Sequence, residues 1–459
     1  MGWHWTRRIV IGVVAAAPLA GIGALPSHAT PPAAEWPMYG ADLSNSRSVA
    51  GGPSPLSVLR LTTAWRADFS DGDFTGTPVV SGGIVYVGSD KGAVHAIRVT
   101  GGSAAWTARV GGGVNASLAV SNGRVFVPVA IQGAPAITAL DEASGAPVLS
   151  TVLDTSPDAD VYGSPMPVTY HGRDMVLEGV SAVSGDPASP LRGSVVALDA
   201  ITGSVIWKSY TVPPGFNGGA VWSTPAVDVA AGVVYAGTGN AYSGAAAGTT
   251  DAIVKLDLGT GAILGALQGT SRDVFSSSTP GLDFDFGASP NLFSIGGRPV
   301  VGDGAKSGIY WVADRASMRS VWHTQVGAGS LVGGILGSTA FDASTGRVIG
   351  PVSLPGYLWS LNATNGLPNW ITTGLLDVVH LSPVAVSNGV VYSVSTAGFL
   401  EAFLEATGTP LAERPLNPIP PTKGYTLALA SGVAVADGLV IADIGSQGVN
   451  GSVVAFGAP

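Results

Sequence analysis

Asp283 and Asp285 stand two apart in the run Asp283-Phe284-Asp285-Phe286. On an extended strand that spacing puts both carboxylates on one face and both phenyl rings on the other. Carboxylates so placed repel each other unless a cation or a hydrogen-bond donor sits among them. The pair therefore favours a metal-linked site, with a solvated loop as the plainer reading. A second unusual stretch is 221–243, "VWSTPAVDVAAGVVYAGTGNAYS". Trp222 stands just before the turn that opens an alternating strand, where an indole serves either as core or as a flat platform. The strand ends in Gly237-Thr238-Gly239-Asn240, and a Gly-Asn pair is also a common turn.

The elements that must carry these residues follow from a repeat. A small-residue turn with Pro leads into an apolar strand, then Gly, "VY-x-G", a polar loop, "G-x-V-x-A-L-D-x-x-T-G", and a strand ending in Trp. Clear copies are "TPVVSGGIVYVGSDKGAVHAIRVTGGSAAW" (77–106), "RGSVVALDAITGSVIW" (192–207) and "SPVAVSNGVVYSVSTAGFLEAFLEATGTPL" (382–411). Opening turns near 77, 117, 164, 224, 289, 339, 382 and 431 give eight units. Units of about this length, each with four short alternating strands, predict an all-β, eight-bladed β-propeller of four-stranded antiparallel blades. The eighth unit ends at "GSVVAFGAP" without its last strand, and Leu61 to Trp65 matches the missing piece. The last blade should therefore be closed by the N-terminal strand. Asp199 and Asp257, in "LD-x-x-TG", read as turn caps.

Composition agrees with many short strands and a large core. The chain has 66 glycines among 459 residues and only 11% charged residues, against a usual charged share of about 25%. Arg7-Arg8, the apolar run Ile9 to Leu25 and Ser27-His28-Ala29 read as an export signal over 1–29, compatible with the twin-arginine route. Residues 30–459 then form one domain of a secreted or cell-envelope protein, with no membrane span after the signal. The net charge is −9, or −11 without the signal and its two arginines. That argues against nucleic acid as a partner and is compatible with metal cations. No cysteine is present, which excludes zinc-thiolate sites, cysteine nucleophiles and C-x-x-C-H haem attachment. The histidines show no H-x-H spacing.

"WPMYGADLSNSR" (36–47), the Trp-closed repeats, the Trp222 to Tyr242 stretch, "DFDFGASPNLF" (283–293) and "KSGIYWVADR" (306–315) resemble the PQQ-dependent alcohol dehydrogenases. The polyvinyl alcohol branch of that family is the nearest resemblance, and the likeness runs along nearly all of residues 30–459. It implies pyrroloquinoline quinone and Ca²⁺ on the propeller axis, an alcohol substrate and an external electron acceptor such as a cytochrome c. Carried onto this chain, Trp222 would stack on the quinone and Asn240 would ligate calcium. Asp285 would be the catalytic base and also a metal ligand, with Asp283 beside it as a further ligand. Lys306 would contact the quinone oxygens, Arg192 would suit its carboxylates, and Glu178 in "VLEGVSA" would be the glutamate ligand. Oxygen ligands are what calcium takes, and a positioned carboxylate is what removes an alcohol proton.

Two departures bear on this expectation. Many members carry adjacent disulfide-linked cysteines on the quinone face opposite the tryptophan, and this chain has none. The family's Gly-Gly-Ile-x-Trp-Gly segment appears as "GGILGSTA", with Leu336 in place of tryptophan. A non-catalytic propeller that binds a protein or glycan through its loops is the alternative reading.

Overall fold

Alternating apolar residues, interrupted every few positions by Gly-containing turns, fold into short antiparallel strands that cannot bury both faces alone. The computed structural model describes residues 35–182, 188–372, 379–416, 431–445 and 451–458. The expected export signal over 1–29 lies outside them. Blade 1 is Val79–Ser81, Ile84–Gly88, Ala93–Arg98 and Ala104–Arg109. Blades 2 to 7 follow with the same meander, opening at Ala119–Ser121, Met166–Tyr170, Ala226–Asp228, Asn291–Ile295, Ala340–Asp342 and Ala385–Ser387. Blade 8 takes Val433–Ala436, Leu439–Ile444 and Ser452–Gly457 from one end of the chain and Thr62–Asp68 from the other. Trp65 pairs with Ala455 in that seam. The protein is an eight-bladed, nearly all-β propeller, closed as the repeat count requires. Its one helix among the described residues is the single turn Pro55–Val58.

First strands are buried and touch the first strands of neighbouring blades, whereas fourth strands alternate between exposed and half-buried. First strands therefore line the axis. Their opening Ser or Thr residues tie adjacent blades together. The N–H groups of Ser117, Ser164, Thr224 and Ser289 donate to the hydroxyls of Ser164, Thr224, Ser289 and Ser338 at 2.9–3.1 Å. On the outside, the closing tryptophan of one blade docks on the next. The indole N–H groups of Trp65, Trp106, Trp207, Trp322 and Trp370 donate to Val99, Glu142, Leu258, Ala363 and Glu405 carbonyls at 2.6–3.1 Å. Each ring lies against the glycine of the neighbour's turn: Gly102, Gly145, Gly261, Gly366 or Gly408. These have φ of +70° to +74°, and a Cβ there would approach the indole to 2.5–2.7 Å. Only glycine meets both demands.

The segment 36–49 crosses one end of the axis. Trp36 exchanges backbone hydrogen bonds with Val80 of blade 1. Carbonyls of Pro37, Leu43, Ser44, Ser46 and Arg47 then accept from Val120, Val227, Leu292, Phe341 and Val386, in blades 2, 4, 5, 6 and 7. Asn45 adds its amide to the Thr224, Pro225 and Pro290 carbonyls. Arg47 is wholly buried, with no carboxylate partner among the described residues. It donates to Val384 and Tyr39 carbonyls at 2.7 and 2.5 Å and stacks on the Trp36 and Tyr39 rings. Burial pulls its pKa down to about 10, so it stays charged at neutral pH. Arg47→Ala should therefore lower the unfolding free energy by about 2–4 kcal/mol, through lost charged hydrogen bonds and packing. Guanidinium denaturation measures this; a loss below about 0.5 kcal/mol would show that the segment adds nothing to the propeller.

Candidate active site

In an antiparallel meander, the loops from second to third strand and from one blade to the next leave from the same face. Asn240 and Lys306 lie in loops of the first kind, in blades 4 and 5. Trp222 and the Asp283–Asp285 stretch lie in loops of the second kind, on either side of blade 4. The fold thus brings four separate segments to one mouth. They line a cavity of about 360 Å³, with Asn240, Asp283, Asp285 and Lys306 on the polar side and Tyr162, Tyr242 and Phe275 among the aromatic walls. Trp222 lines this cavity and also a second one, of about 220 Å³, that runs along the axis to Tyr39 and Leu336.

The Asp-Phe-Asp-Phe run is not a strand. Residues 281–290 have no regular structure, and Asp283 sits at φ +55°, a left-handed conformation that aspartate tolerates better than most residues. The two carboxylates nevertheless converge, and the donor between them is Lys306. Its ammonium lies 3.0 Å from both oxygens of Asp283 and 2.9 Å from Asp285 Oδ2. The other oxygen of Asp285 accepts the Asn240 N–H at 2.8 Å. Glycine eases the close approach at this point: a Cβ on Gly239 would stand 3.0 Å from Asp285 Oδ1, and the carboxylate would have to give way by a few tenths of an ångström. Trp222 packs edge-on against Gly287, where a Cβ would meet the ring at 2.1 Å. Lys306 Nζ stands 5.2 Å from the indole centre, within cation–π range.

Charge is unbalanced here. Burial, then the charge of Asp285, raises the Asp283 pKa to about 6. Burial alone would lower Lys306, but Asp285 and Asp283 outweigh it and hold the ammonium above its ordinary value. Asp251, which the sequence reading did not single out, is fully buried, and neither carboxylate oxygen has a partner among the described residues. Burial and the charges of Asp285, Asp273 and Asp283 raise it to about 10. Two carboxylates and one lysine line the cavity, with Asp251 buried behind them. Among the described residues no three acidic or imidazole side chains converge on one point, so a hard cation here would have to draw on Asp283, Asp285 and the Asn240 amide oxygen in competition with Lys306. Asn240 fits such a role. Its amide nitrogen donates to the Ala241 and Phe275 carbonyls at 2.6 and 2.7 Å, which leaves Oδ1 as the atom with lone pairs to offer.

Two expected site residues stand elsewhere. Arg192 does not line the cavity; its guanidinium donates to the Val212 carbonyl and stacks on Tyr210 at 4.1 Å. Glu178, expected as a metal ligand, is fully buried in the strand Arg173–Ala182, behind Gly163 rather than on the cavity wall. One of its oxygens accepts the Gly179 N–H at 2.9 Å, and the other has no partner among the described residues. Burial raises its pKa from 4.5 to about 8. Between those values the unfolded chain loses the proton and the folded one keeps it, so stability falls as pH rises, by about 1.4 kcal/mol per pH unit at most. Glu178→Gln should remove that slope and make the protein more stable than wild type at pH 9, with little change at pH 4. Denaturation midpoints at the two pH values test this; an unchanged slope would mean that Glu178 ionises normally.

A family model described as outer membrane protein assembly factor BamB (PQQ_2) matches residues 61–324. A polyvinylalcohol dehydrogenase of Sphingopyxis sp. (strain 113P3) is 28% identical over 420 residues, covering 76% of this chain and 62% of that protein. The chain thus spans about three fifths of that relative's length. A solved quinohemoprotein alcohol dehydrogenase from Comamonas testosteroni superposes with TM-score 0.73 at 21% identity, over 92% of this chain and 80% of that one. A europium-containing methanol dehydrogenase gives 0.77 at 18% identity, over 92% and 98%. At such identities the structural likeness speaks for the fold alone. With the family model matched over more than half of its length, and with named alcohol dehydrogenases among its relatives, the chain belongs to the quinoprotein β-propeller family that includes the PQQ-dependent alcohol dehydrogenases.

Proposed function

We propose that the chain is an exported quinoprotein that oxidises alcohols to carbonyl compounds with pyrroloquinoline quinone and calcium, and passes the electrons to an external acceptor such as a cytochrome c. The observation that carries this reading is the meeting of Asp283, Asp285, Lys306, Asn240 and Trp222 around one cavity. When bound, the quinone supplies an electrophilic carbonyl that accepts hydride, and calcium supplies Lewis-acid polarisation of it.

The protein's share is to bind, orient and move a proton. Trp222 offers a flat apolar surface to a planar ring, and Lys306 offers a positive charge to carboxylate or carbonyl oxygens. Asn240 Oδ1 and the aspartate oxygens offer neutral and anionic ligands to a hard cation. Asp285 is held at Oδ1 by the Asn240 N–H and at Oδ2 by Lys306, and its remaining lone pairs can take the proton of a substrate hydroxyl. Tyr162, Tyr242 and Phe275 supply aromatic walls for the substrate's carbon frame. Secondary or polymeric alcohols, including the polyvinyl alcohol of the relative's name, are the substrates to try first. Three observations favour a second reading, a non-catalytic scaffold: the matching family model describes an assembly factor, the chain lacks cysteines, and it has Leu336 where the family has tryptophan.

Dye-linked reduction with an alcohol panel, with and without added quinone and Ca²⁺, separates the two. Turnover dependent on both additions supports the enzyme; absence of quinone binding by calorimetry favours the scaffold. Trp222→Ala should cost about 1–3 kcal/mol of quinone binding, by analogy with aromatic stacking on planar bases. Asp285→Asn should leave folding and most quinone binding in place while lowering kcat by roughly 10²–10⁴-fold, the usual worth of a positioned general base. A variant that kept the full rate would show that the base is another group.

A further inference from the structure

Asp273 follows the outer strand Ile263–Gln268 of blade 4 and is 2% exposed. Its carboxylate accepts three successive backbone N–H groups. Leu282 and Asp283 donate to Oδ1 at 3.2 and 3.4 Å, and Phe284 donates to Oδ2 at 2.8 Å. The left-handed turn at Asp283, φ +55°, is what points consecutive N–H groups at one spot. Such a backbone nest binds anions, and here the anion is a side chain of the same protein. The nest fixes the backbone from which both Asp283 and Asp285 project.

The same short segment is tied to the other half of the site. Val274 bridges Ala241 in parallel, and the Phe275 N–H donates to the Ala241 carbonyl at 3.0 Å. The Phe275 carbonyl in turn accepts the Asn240 side-chain amide at 2.7 Å. Residues 273–275 therefore hold Asn240 on one side and the Asp283–Asp285 loop on the other. We infer that Asp273 is a positioning residue that sets the spacing between Asn240 and the Asp283–Lys306–Asp285 cluster. It does not line the cavity; it acts through the backbone it holds, with its charge adding a smaller push on Asp251 and Asp283. In its effect on cofactor binding, this inference rests on the proposed function. The placement of Lys306 between its two carboxylates does not.

Asp273→Ala leaves three N–H groups without their acceptor, and the left-handed turn at Asp283 loses what stabilises it. Asp273→Asn keeps one acceptor oxygen and should recover part of the effect. Two measurements read the result in full-length protein. The first is the rate at which an amine-reactive reagent labels Lys306, whose side chain is 12% exposed and held by both aspartates. Asp273→Ala should speed that labelling by tenfold or more, with Asp273→Asn in between. The second is calcium-dependent quinone affinity, read by quenching of tryptophan fluorescence, which should fall at least tenfold in Asp273→Ala. Should the alanine variant fail to fold, the asparagine variant makes both comparisons against wild type. Unchanged Lys306 labelling and unchanged quinone affinity in a folded variant, with faster amide exchange at residues 282–284 only, would overturn the inference and leave Asp273 as a simple loop tie. A wild type that binds no quinone would defeat the functional reading, while Lys306 labelling would still decide the role of Asp273.

Discussion

The contact on which the propeller most depends is a tryptophan of one blade lying against a glycine turn of the next. A four-stranded blade has two apolar faces and cannot bury them without neighbours. Closing eight of them into a ring requires that each interface repeat nearly the same geometry, since a small error per blade would accumulate around the circle. The indole meets this need in two ways at once. It covers a large apolar area, and its N–H fixes its orientation by a hydrogen bond to the facing turn. The glycine is needed for the turn's positive φ and again for the room the ring occupies. Five interfaces use this device. Between blades 2 and 3 it is replaced by Thr151, whose hydroxyl donates to the Gly203 carbonyl. Between blades 4 and 5 the place is taken by Met318 against Gly265 and by Lys255, which donates to the Arg315 carbonyl.

Ring closure fixes only the frame; the axis still has two open ends. The segment 36–49 crosses one of them through main-chain hydrogen bonds to six blades, and a buried arginine pins its last residues. The functional loops gather at the other end. A ligand thus has a route from the loop face, past the tyrosines and Trp222, into an axial cavity that ends at Tyr39. Trp222, which lines both cavities, stands at the junction of that route. The cavity lies where three consecutive blades, 3 to 5, contribute loops, so first-strand contacts set the spacing of the blades while contacts within the loops set the spacing of the side chains they carry.

Much of this was legible in the sequence because it repeats. Eight opening turns, the Trp-closed strands and the missing strand of the last unit gave the blade count and the seam at Trp65. Trp222, Asn240, Asp283, Asp285 and Lys306, each singled out from a local motif, do meet around one cavity. What failed was whatever depended on conformation rather than residue type. Alternation of Asp and Phe mimics a strand's period of two, yet the positive φ at Asp283 breaks it, and no sequence pattern reports that angle. Glu178 has the residue type of a ligand, but it lies inside the strand Arg173–Ala182 with its carboxyl buried. Arg192 had the right charge but found a carbonyl and a tyrosine nearer. Asp251 and Asp273 stand in no recognisable motif, and the role of 36–49 is carried by backbone contacts that no side-chain pattern announces.

The arrangement of charge explains why such unannounced residues matter. Asp283 and Asp285 face one ammonium, while Asp251 and Asp273 stand close behind them. In a medium less polarisable than water, each added negative charge raises the energy of the others. Asp251 answers by staying protonated, Asp273 by binding backbone N–H groups, and the front pair by sharing Lys306. Each acid is thus neutralised in a different way, and only the front pair is neutralised by a group that can be displaced. A divalent cation arriving at that pair would free Lys306 to face an anionic ligand over Trp222. In the proposed reading, the pair that shares Lys306 is thus the one place where an arriving cation could take over from a lysine. Asp251, protonated, and Asp273, held by backbone N–H groups, offer no such exchange.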